Sequence, residues 1–498
     1  MKKDFFLEAT VTAAVLIFLL NCLSANLADL DLWGYLAFGR LFWESSAFPY
    51  NDVFSYTPTI YPWVYHEWLT GVFLYPLYMA WGGSGLQFLK YFLGLGTLAL
   101  VYKTAKLQGA KPIASAIFLM CIAPLIFSFY PPLRAQVFTF FFFALYLFLL
   151  EKARLNGRWM GLLLLPALQL LWCNLHGGFL AGLGLIALFG AGEFLARRPF
   201  FPFLAIFISS LLVTLINPYG LQYWEYIARA VLMPRPHITE WASLLQGIQR
   251  SNNVTFLLIP YFTIIFFIYI YATRNSRSID ITTFLILFVT FVLAVSHIRH
   301  LSFFFFVVGA YLPEKINGSV EYLLSRRYLI KLWLKRSVKV SLSICFMLIS
   351  IILGYQFFKA EPFSMKIPSD PVPGLSFTRH FPKGAVDFIL RHGLRGNLLS
   401  EFSWGEYCIW NLYPQCLVAF DGRYETVYPE EVEKRYWEFS HARQQWRLFL
   451  ESYPPDLILL DPRYEVADLI KNEPGWQKIY EDEGSVLFIK TSLAAGHS

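Results

Sequence analysis

Apolar runs recur along most of this chain and break only for short polar turns. The runs at 9–26, 86–103, 112–130, 134–151, 159–175, 177–195, 200–216, 254–272, 280–297, 300–313 and 339–358 read as membrane-spanning helices, which need roughly 20 apolar residues to cross at full length. The run 68–81 is shorter, at 14 residues. Charge decides where it lies. If it crossed, the loop with Lys103, Lys106 and Lys111 would face outside, and the loops with Lys152, Arg154, Arg158, Arg197 and Arg198 would be misplaced too. If it lies along the outer interface, every basic loop falls on the cytoplasmic side, including Arg274 with Arg277 and the segment 314–338 with Arg326, Arg327, Lys331, Lys335 and Arg336. The pattern therefore predicts an α-helical polytopic membrane protein of about eleven spans, with interfacial helices in the first outer loop. Its N-terminus is cytoplasmic and its C-terminus is outside. Lys2 and Lys3 before the first run give a signal-like start, expected to remain as an uncleaved first helix.

The pattern changes near Glu361. We divide the chain into a transmembrane domain at 1–358, a linker at 359–379 carrying PSDPVPG, and a more polar extracytoplasmic α/β domain at 380–498. In that domain we expect a helix over 384–392 and strands at 397–402, 416–420, 456–460 and 486–490. A long charged and aromatic helix is expected over 428–452, and a turn at Asp482, Glu483 and Gly484.

Composition agrees with the hydropathy. Charged residues make up 15% of the chain against about 25% in an average soluble domain. The net charge of +7 lies in short loops between spans, so it is read as a topology signal and not as a nucleic-acid surface. Cys22, Cys121, Cys173 and Cys345 lie in apolar runs and are expected to pack there. Cys408 and Cys416 are expected to be two buried thiols.

Chemically versatile groups gather on one side. Only five aspartates precede Glu361, and Asp29, Asp31 and Asp52 fall in the first outer loop. The same loop holds His66 and Glu67. LWGYLAFGRLFWESS has helical spacing and is expected to lie flat on the interface, and Pro49, Pro58 and Pro62 break the rest of the loop into extended pieces. In this topology His66, His176, His237, His297 and His300 all reach the outer face. So do Arg134, Gln136, Asn174, Asn217, Glu240 and Arg299. Ionisable groups at a bilayer are expensive to desolvate, so such a one-sided set points to a functional face. The bland alternatives stand beside each reading. His66 and Glu67 either cap the interfacial helix or orient an acceptor; His237 and Glu240 either shape a pocket or form a salt link. Gly177 and Gly178 after His176 are expected to permit close helix packing. Asp421 and Arg423 of AFDGRYE are expected to form a structural turn with an ion pair.

The motifs ADLDLWGYLAFGR, FSYT, PWVYHEWL, LRAQVF, LWCNLHGGF, NPYG, ITEW, HIRH, SWGEYCIWNLYP and AFDGRYE, taken in order, resemble the membrane-embedded glycosyltransferases of the GT-C superfamily, in particular bacterial mannosyltransferase-like members. The resemblance implies an inverting glycosyltransferase of the bacterial inner membrane and cell envelope. It would use a polyprenyl-phosphate sugar as donor and an extracytoplasmic glycan, lipid or protein as acceptor. Asp31 matches the family's catalytic acid best, and Asp29 is its rival because Leu32 follows Asp31 where the family usually has an Asp–Glu pair. DLD also resembles the metal-binding pattern of some relatives, which implies a divalent cation, Mg²⁺ or Mn²⁺, on Asp29 and Asp31. Inverting transfer needs a base for the acceptor hydroxyl, and desolvation near an apolar interface improves a carboxylate in that role. The leaving lipid phosphate needs cationic support, for which Arg299, Arg134, His176 and His300 are candidates. Asp52 and Glu67 would orient the acceptor or join a metal with Asp29.

Two rivals come from other classes. A transporter would carry ionisable groups near mid-span, yet Glu193 and Asp280 fall at the cytoplasmic ends. A lipid-linked oligosaccharide ligase or polymerase would use a large outer loop with Arg and His instead of a first-loop Asp.

Overall fold

The computed structural model describes residues 5–45, 47–128, 133–233, 235, 238–246, 280–317, 336–370 and 380–494. The expected span 254–272, His237, Arg274, Arg277 and most of the basic segment 314–338 lie outside the described residues. The chain divides into two compact units. One is made of Met1–Asn26, Gln87–Asn217 and Leu232–Ser364, and the other of Leu27–Leu86, Pro218–Val231 and Met365–Ser498.

The first unit is a bundle of apolar helices. Four described helices are long and apolar enough to cross a membrane: Trp68–Leu107, Gln136–Asn156, Gly177–Leu195 and Ser337–Lys359. Six shorter apolar helices accompany them, at Ala9–Cys22, Pro112–Pro124, Trp159–Leu175, Phe201–Val213, Ile281–Ser296 and Ile298–Tyr311. The Leu180–Leu195 helix packs on Phe201–Val213, Ile281–Ser296 and Gln136–Asn156, and the first helix, Phe5–Cys22, runs along Arg336–Lys359. Large apolar side chains face outward, among them Ile351, Ile352, Phe358, Leu212 and Phe92. A contiguous apolar exterior of this kind requires lipid around it. Cys121 and Cys345 belong to that exterior and are exposed, which corrects the expectation that they pack inside; Cys173 is buried as expected.

Trp68–Leu107 is one helix only in outline. Gly82 inside it has φ 58° and ψ −152°, a conformation that a side chain would strain. The break separates 68–81 from the following span, where the charge argument separates them.

The second unit is an α/β body. Five strands, β1 Gly396–Ser400, β2 Cys416–Val418, β3 Leu457–Leu460, β4 Trp476–Glu481 and β5 Val486–Lys490, form one sheet in the order β2-β1-β3-β5-β4. The first three pair in parallel, and β5 turns antiparallel to β3. β3 is buried at all four positions, as a parallel strand covered on both faces should be. The turn after β4 closes on Asp482, whose carboxylate accepts the Gly484 and Ser485 N–H groups at 3.0 and 2.6 Å. The expected helix over 384–392 is present as Lys383–Arg391. The expected long helix over 428–452 is instead two helices, Glu430–Ser440 and Arg447–Ser452, parted near Ala442 at φ 51°. Cys408 and Cys416 are buried free thiols.

The loop that follows the first helix is woven into this sheet. Ser55 forms a parallel bridge with Val418: Val418 N–H donates to Phe54 O at 2.8 Å and Tyr56 N–H to Val418 O at 3.1 Å. Thr57 Oγ1 adds a 2.6 Å bond to Ala419 O. The loop thus extends the β2 edge, and an edge strand that would otherwise stay open is partly paired. Residues 218–231 join the same body. Tyr65 N–H donates to Tyr219 Oη at 3.0 Å, and Tyr50 Oη donates to Pro218 O at 3.0 Å.

Candidate functional site

The acidic loop and the α/β body build one site within the second unit. Asp31 is the N-cap residue of Leu32–Glu44, the helix expected from LWGYLAFGRLFWESS. Leu32 through Gly39 of this helix are all buried. Trp33 packs edge-on to Tyr407 at 5.1 Å and Phe381 at 5.8 Å, while Phe38 packs on Trp63 and Tyr65 at 5.4 and 4.7 Å. Aromatic pairs of this geometry are worth about 0.5–1.5 kcal/mol each beyond area burial, so the helix is firmly held. Its first turn meets the Gly405–Leu412 helix. Asp29 Oδ1 accepts the Asp31 N–H at 3.1 Å, a local turn that gives Asp29 a structural role.

Beside Asp31 stands Glu406, a residue the sequence reading passed over. Its Oε2 accepts the Gly34 N–H at 2.9 Å. Its carboxyl is pushed well above the usual carboxylate range, first by burial and then by Asp31 and Asp421, with Arg423 pulling the other way. The signal was one glutamate set between Gly405 and Tyr407 in an otherwise aromatic stretch.

Behind this pair lies a buried ion network. Arg423 Nε and Nη2 donate to the two oxygens of Asp421 at 2.8 and 2.7 Å. Arg423 also bonds Asp52, Ser55 Oγ at 3.1 Å and Tyr428 Oη at 3.3 Å. The Arg423 and Asp52 side chains are 2% and 0% exposed. The expected Asp421–Arg423 turn is present, and it reaches further than expected because Asp52 is its third member. His66 stacks on Tyr226 at 5.2 Å, with Nε2 3.6 Å from Glu67 Oε1. The Glu67 carbonyl accepts the Thr70 and Gly71 N–H groups, so Glu67 opens the helix that starts at Trp68 through its backbone.

The described donors do not assemble a cation site. Among the described residues no group of three or more His, Cys, Asp or Glu side chains is placed to hold a metal ion. Asp29 and Asp31 supply two carboxylates, and Asp52 is already held by Arg423. No chemical step is therefore derived through a metal.

The first unit carries a second cluster. Glu240 bridges Arg134 at 3.3 Å and Arg299 at 3.7 Å. Trp241 is flanked by two guanidinium groups, those of Arg235 and Arg299, each 4.4 Å from the ring centroid. His297 and His300 pack on the same indole at 5.5 and 6.4 Å, and the buried Nδ1 of each has no hydrogen-bond partner among the described residues. Burial raises the Glu240 carboxyl, but Arg134, Arg299 and Arg235 outweigh it and hold it below the usual range. Three arginines thus gather around the one Glu240 carboxylate. Glu240 is ion-paired with Arg134 and Arg299, while His237 lies outside the described residues, and Arg235 and Trp241 are further members of the cluster. Their only signal was the motif PRPHITEW.

His176 stands apart from this cluster in its bonding. Its Nδ1 accepts the Gly178 N–H at 2.9 Å and lies 2.7 Å from Thr139 Oγ1, which in turn accepts the Trp172 Nε1–H at 2.7 Å. The chain of bonds makes Nδ1 an acceptor and fixes the tautomer. Asn174 and Asn217 bond to backbone carbonyls at helix ends, to Leu170 and Ile216 and to Thr214. At other helix ends of the unit, Arg154 ties together Glu151, Glu193 and Asp280 at 2.6, 3.4 and 2.9 Å.

No protein-family model matches the sequence, and no curated protein does. The fold, however, is similar to those of solved membrane glycosyltransferases. The apo oligosaccharyltransferase of Archaeoglobus fulgidus aligns with a TM-score of 0.56 and 11% identity, covering 98% of this chain and 75% of that one. The same enzyme tethered by a disulfide to an acceptor peptide with the NVT sequon gives 0.53 and 11%, covering 98% and 74%. The arabinofuranosyltransferase AftD from mycobacteria gives 0.51 and 13%, covering 97% of this chain and 40% of that one. These neighbours are GT-C superfamily membrane glycosyltransferases, and the likeness is one of fold.

Proposed function

We propose that this chain is an inverting glycosyltransferase that moves a sugar from a polyprenyl-phosphate donor to an extracytoplasmic acceptor. Asp31 is the general base. It takes the acceptor hydroxyl proton as the oxygen attacks the anomeric carbon and the bond to the lipid phosphate breaks. The phosphate gains negative charge as that bond breaks, and Arg134, Arg235 and Arg299 of the first unit have the chemistry to meet such a charge, with the His297 and His300 rings as further hydrogen-bonding groups. The protein sits in the bacterial inner membrane with about eleven spans, its N-terminus cytoplasmic and its α/β domain outside.

The observation that carries this reading is the GT-C fold with an aspartate at the start of the first loop helix. Fold alone does not fix a reaction, so the cationic cluster is the independent chemical support. Purified protein is tested for transfer from polyprenyl-phosphate sugars. Asp31→Asn is expected to lose at least about 100-fold in kcat, the low end of what a positioned base contributes. A fully active Asp31→Asn protein refutes the base assignment. A second reading, transfer of a whole oligosaccharide from a lipid carrier, is favoured by the likeness to the oligosaccharyltransferase. Monosaccharide and oligosaccharide lipid donors offered side by side separate the two.

A further inference from the structure

The helix Leu32–Glu44 begins in an unusual way. An aspartate at the N-cap ordinarily turns its own carboxylate onto the N–H of the second or third helical residue. Asp31 occupies that position, yet its side chain makes no capping bond, and its backbone sits at φ −76°, ψ −12°. The third helical residue is Gly34, and its N–H goes instead to Glu406 Oε2 at 2.9 Å, a partner 372 positions away in sequence. Glycines make room for this carboxylate on both oxygens. A Cβ on Gly34 would overlap Oε2, and a Cβ on Gly422 would lie 2.7 Å from Oε1. The same Gly422 Cβ would lie 3.8 Å from Asp31 Oδ1, so the two carboxyl groups are close neighbours. Asp31, Asp421, Arg423, Tyr65 and the Gly34 amide are among the groups around Glu406.

We propose that Glu406 is a positioning residue that caps the Leu32–Glu44 helix in place of Asp31, so that the Asp31 carboxylate is not drawn onto its own helix and keeps the orientation that proton removal needs. The inference rests on the reading of Asp31 as the base. It gives the C-terminal domain a defined part in the reaction: one side chain that sets the geometry of another.

The test uses full-length protein in detergent or nanodiscs and two readouts, hydrogen exchange of the peptide spanning Gly34 and transfer kinetics. Glu406→Gln keeps an amide oxygen for the Gly34 N–H, so exchange stays slow and most of kcat survives. Glu406→Ala is expected to speed exchange at Gly34 and to lower kcat by about 100-fold, as misplacement of a reacting group by about 1 Å does, with KM for the donor unchanged. Asp31→Ala is expected to abolish transfer while leaving the exchange at Gly34 as in wild type, because Asp31 is not the cap. Unchanged exchange in Glu406→Ala overturns the proposal. So does a loss in Glu406→Gln equal to that in Glu406→Ala, or faster Gly34 exchange in Asp31→Ala. If Glu406→Ala does not fold, the other two variants decide. A wild-type protein that transfers no sugar but shows the expected exchange pattern sinks the transferase reading and leaves the cap standing.

Discussion

Replacing Arg423 by methionine should be the most disruptive single change in the second unit. The guanidinium is 2% exposed and donates to both oxygens of Asp421, to Asp52, to Ser55 and to Tyr428. Methionine fills much of the volume but leaves Asp421 and Asp52 buried without their cation. Removing one partner of a buried ion pair costs about 3–5 kcal/mol, mostly the penalty of the charge left behind. In a body of this size that lowers the unfolding midpoint by roughly 6–20 °C. Intrinsic tryptophan fluorescence during thermal unfolding reads this directly, since Trp63 lies 5.2 Å from the Arg423 guanidinium. A deficit under about 1 kcal/mol would refute the argument that Asp52 and Asp421 rely on this one cation.

Three other groups carry expected outcomes. Burial pushes the Glu401 carboxyl up to about 7 from 4.5, against hydrogen bonds from Ser403 and with help from Asp461. Its contribution to stability is therefore fully present below pH 4.5 and is lost as pH rises through 7, and Glu401→Gln should flatten a pH titration of the unfolding midpoint in that window. Arg154→Ala leaves Glu151, Glu193 and Asp280 without their shared partner and should cost about 3–5 kcal/mol, measured as loss of monodisperse protein on heating in detergent. Arg299→Ala removes one of the two guanidiniums on Trp241 and a partner of Glu240. Transfer kinetics should then show at least about a tenfold fall in kcat/KM for the lipid-phosphate donor, as expected for loss of a charge-assisted contact.

The sequence made the local features legible and left the distant pairings hidden. Asp31 at a helix start, the parting of 68–81 from the next span, and the strands near 397, 416, 456 and 486 all come from spacing, breakers and charge. β4 was missed because Trp476–Glu481 carries Gln, Lys and Glu at exposed edge positions and shows no alternation of burial. The 428–452 helix was drawn too long because Ala442, at φ 51°, gives no warning that it will leave the helical region. The contacts that matter most to the site span 371 and 372 positions, Arg423 to Asp52 and Gly34 to Glu406. No periodicity encodes such a pair. A buried carboxylate finds its cation, and a helix end finds its acceptor, only once the chain has folded back on itself.

Synthesis runs from the first residue to the last, and that order bears on the strand-like pairing of 54–57 with the β2 edge. Thr57 meets its partner Ala419 only after 362 further residues have been made. At 5–20 residues per second the wait is about 20–70 s. During that interval the acidic segment has already left the ribosome without the surface that shapes it. An incomplete translation product therefore holds the aspartate and lacks its mould.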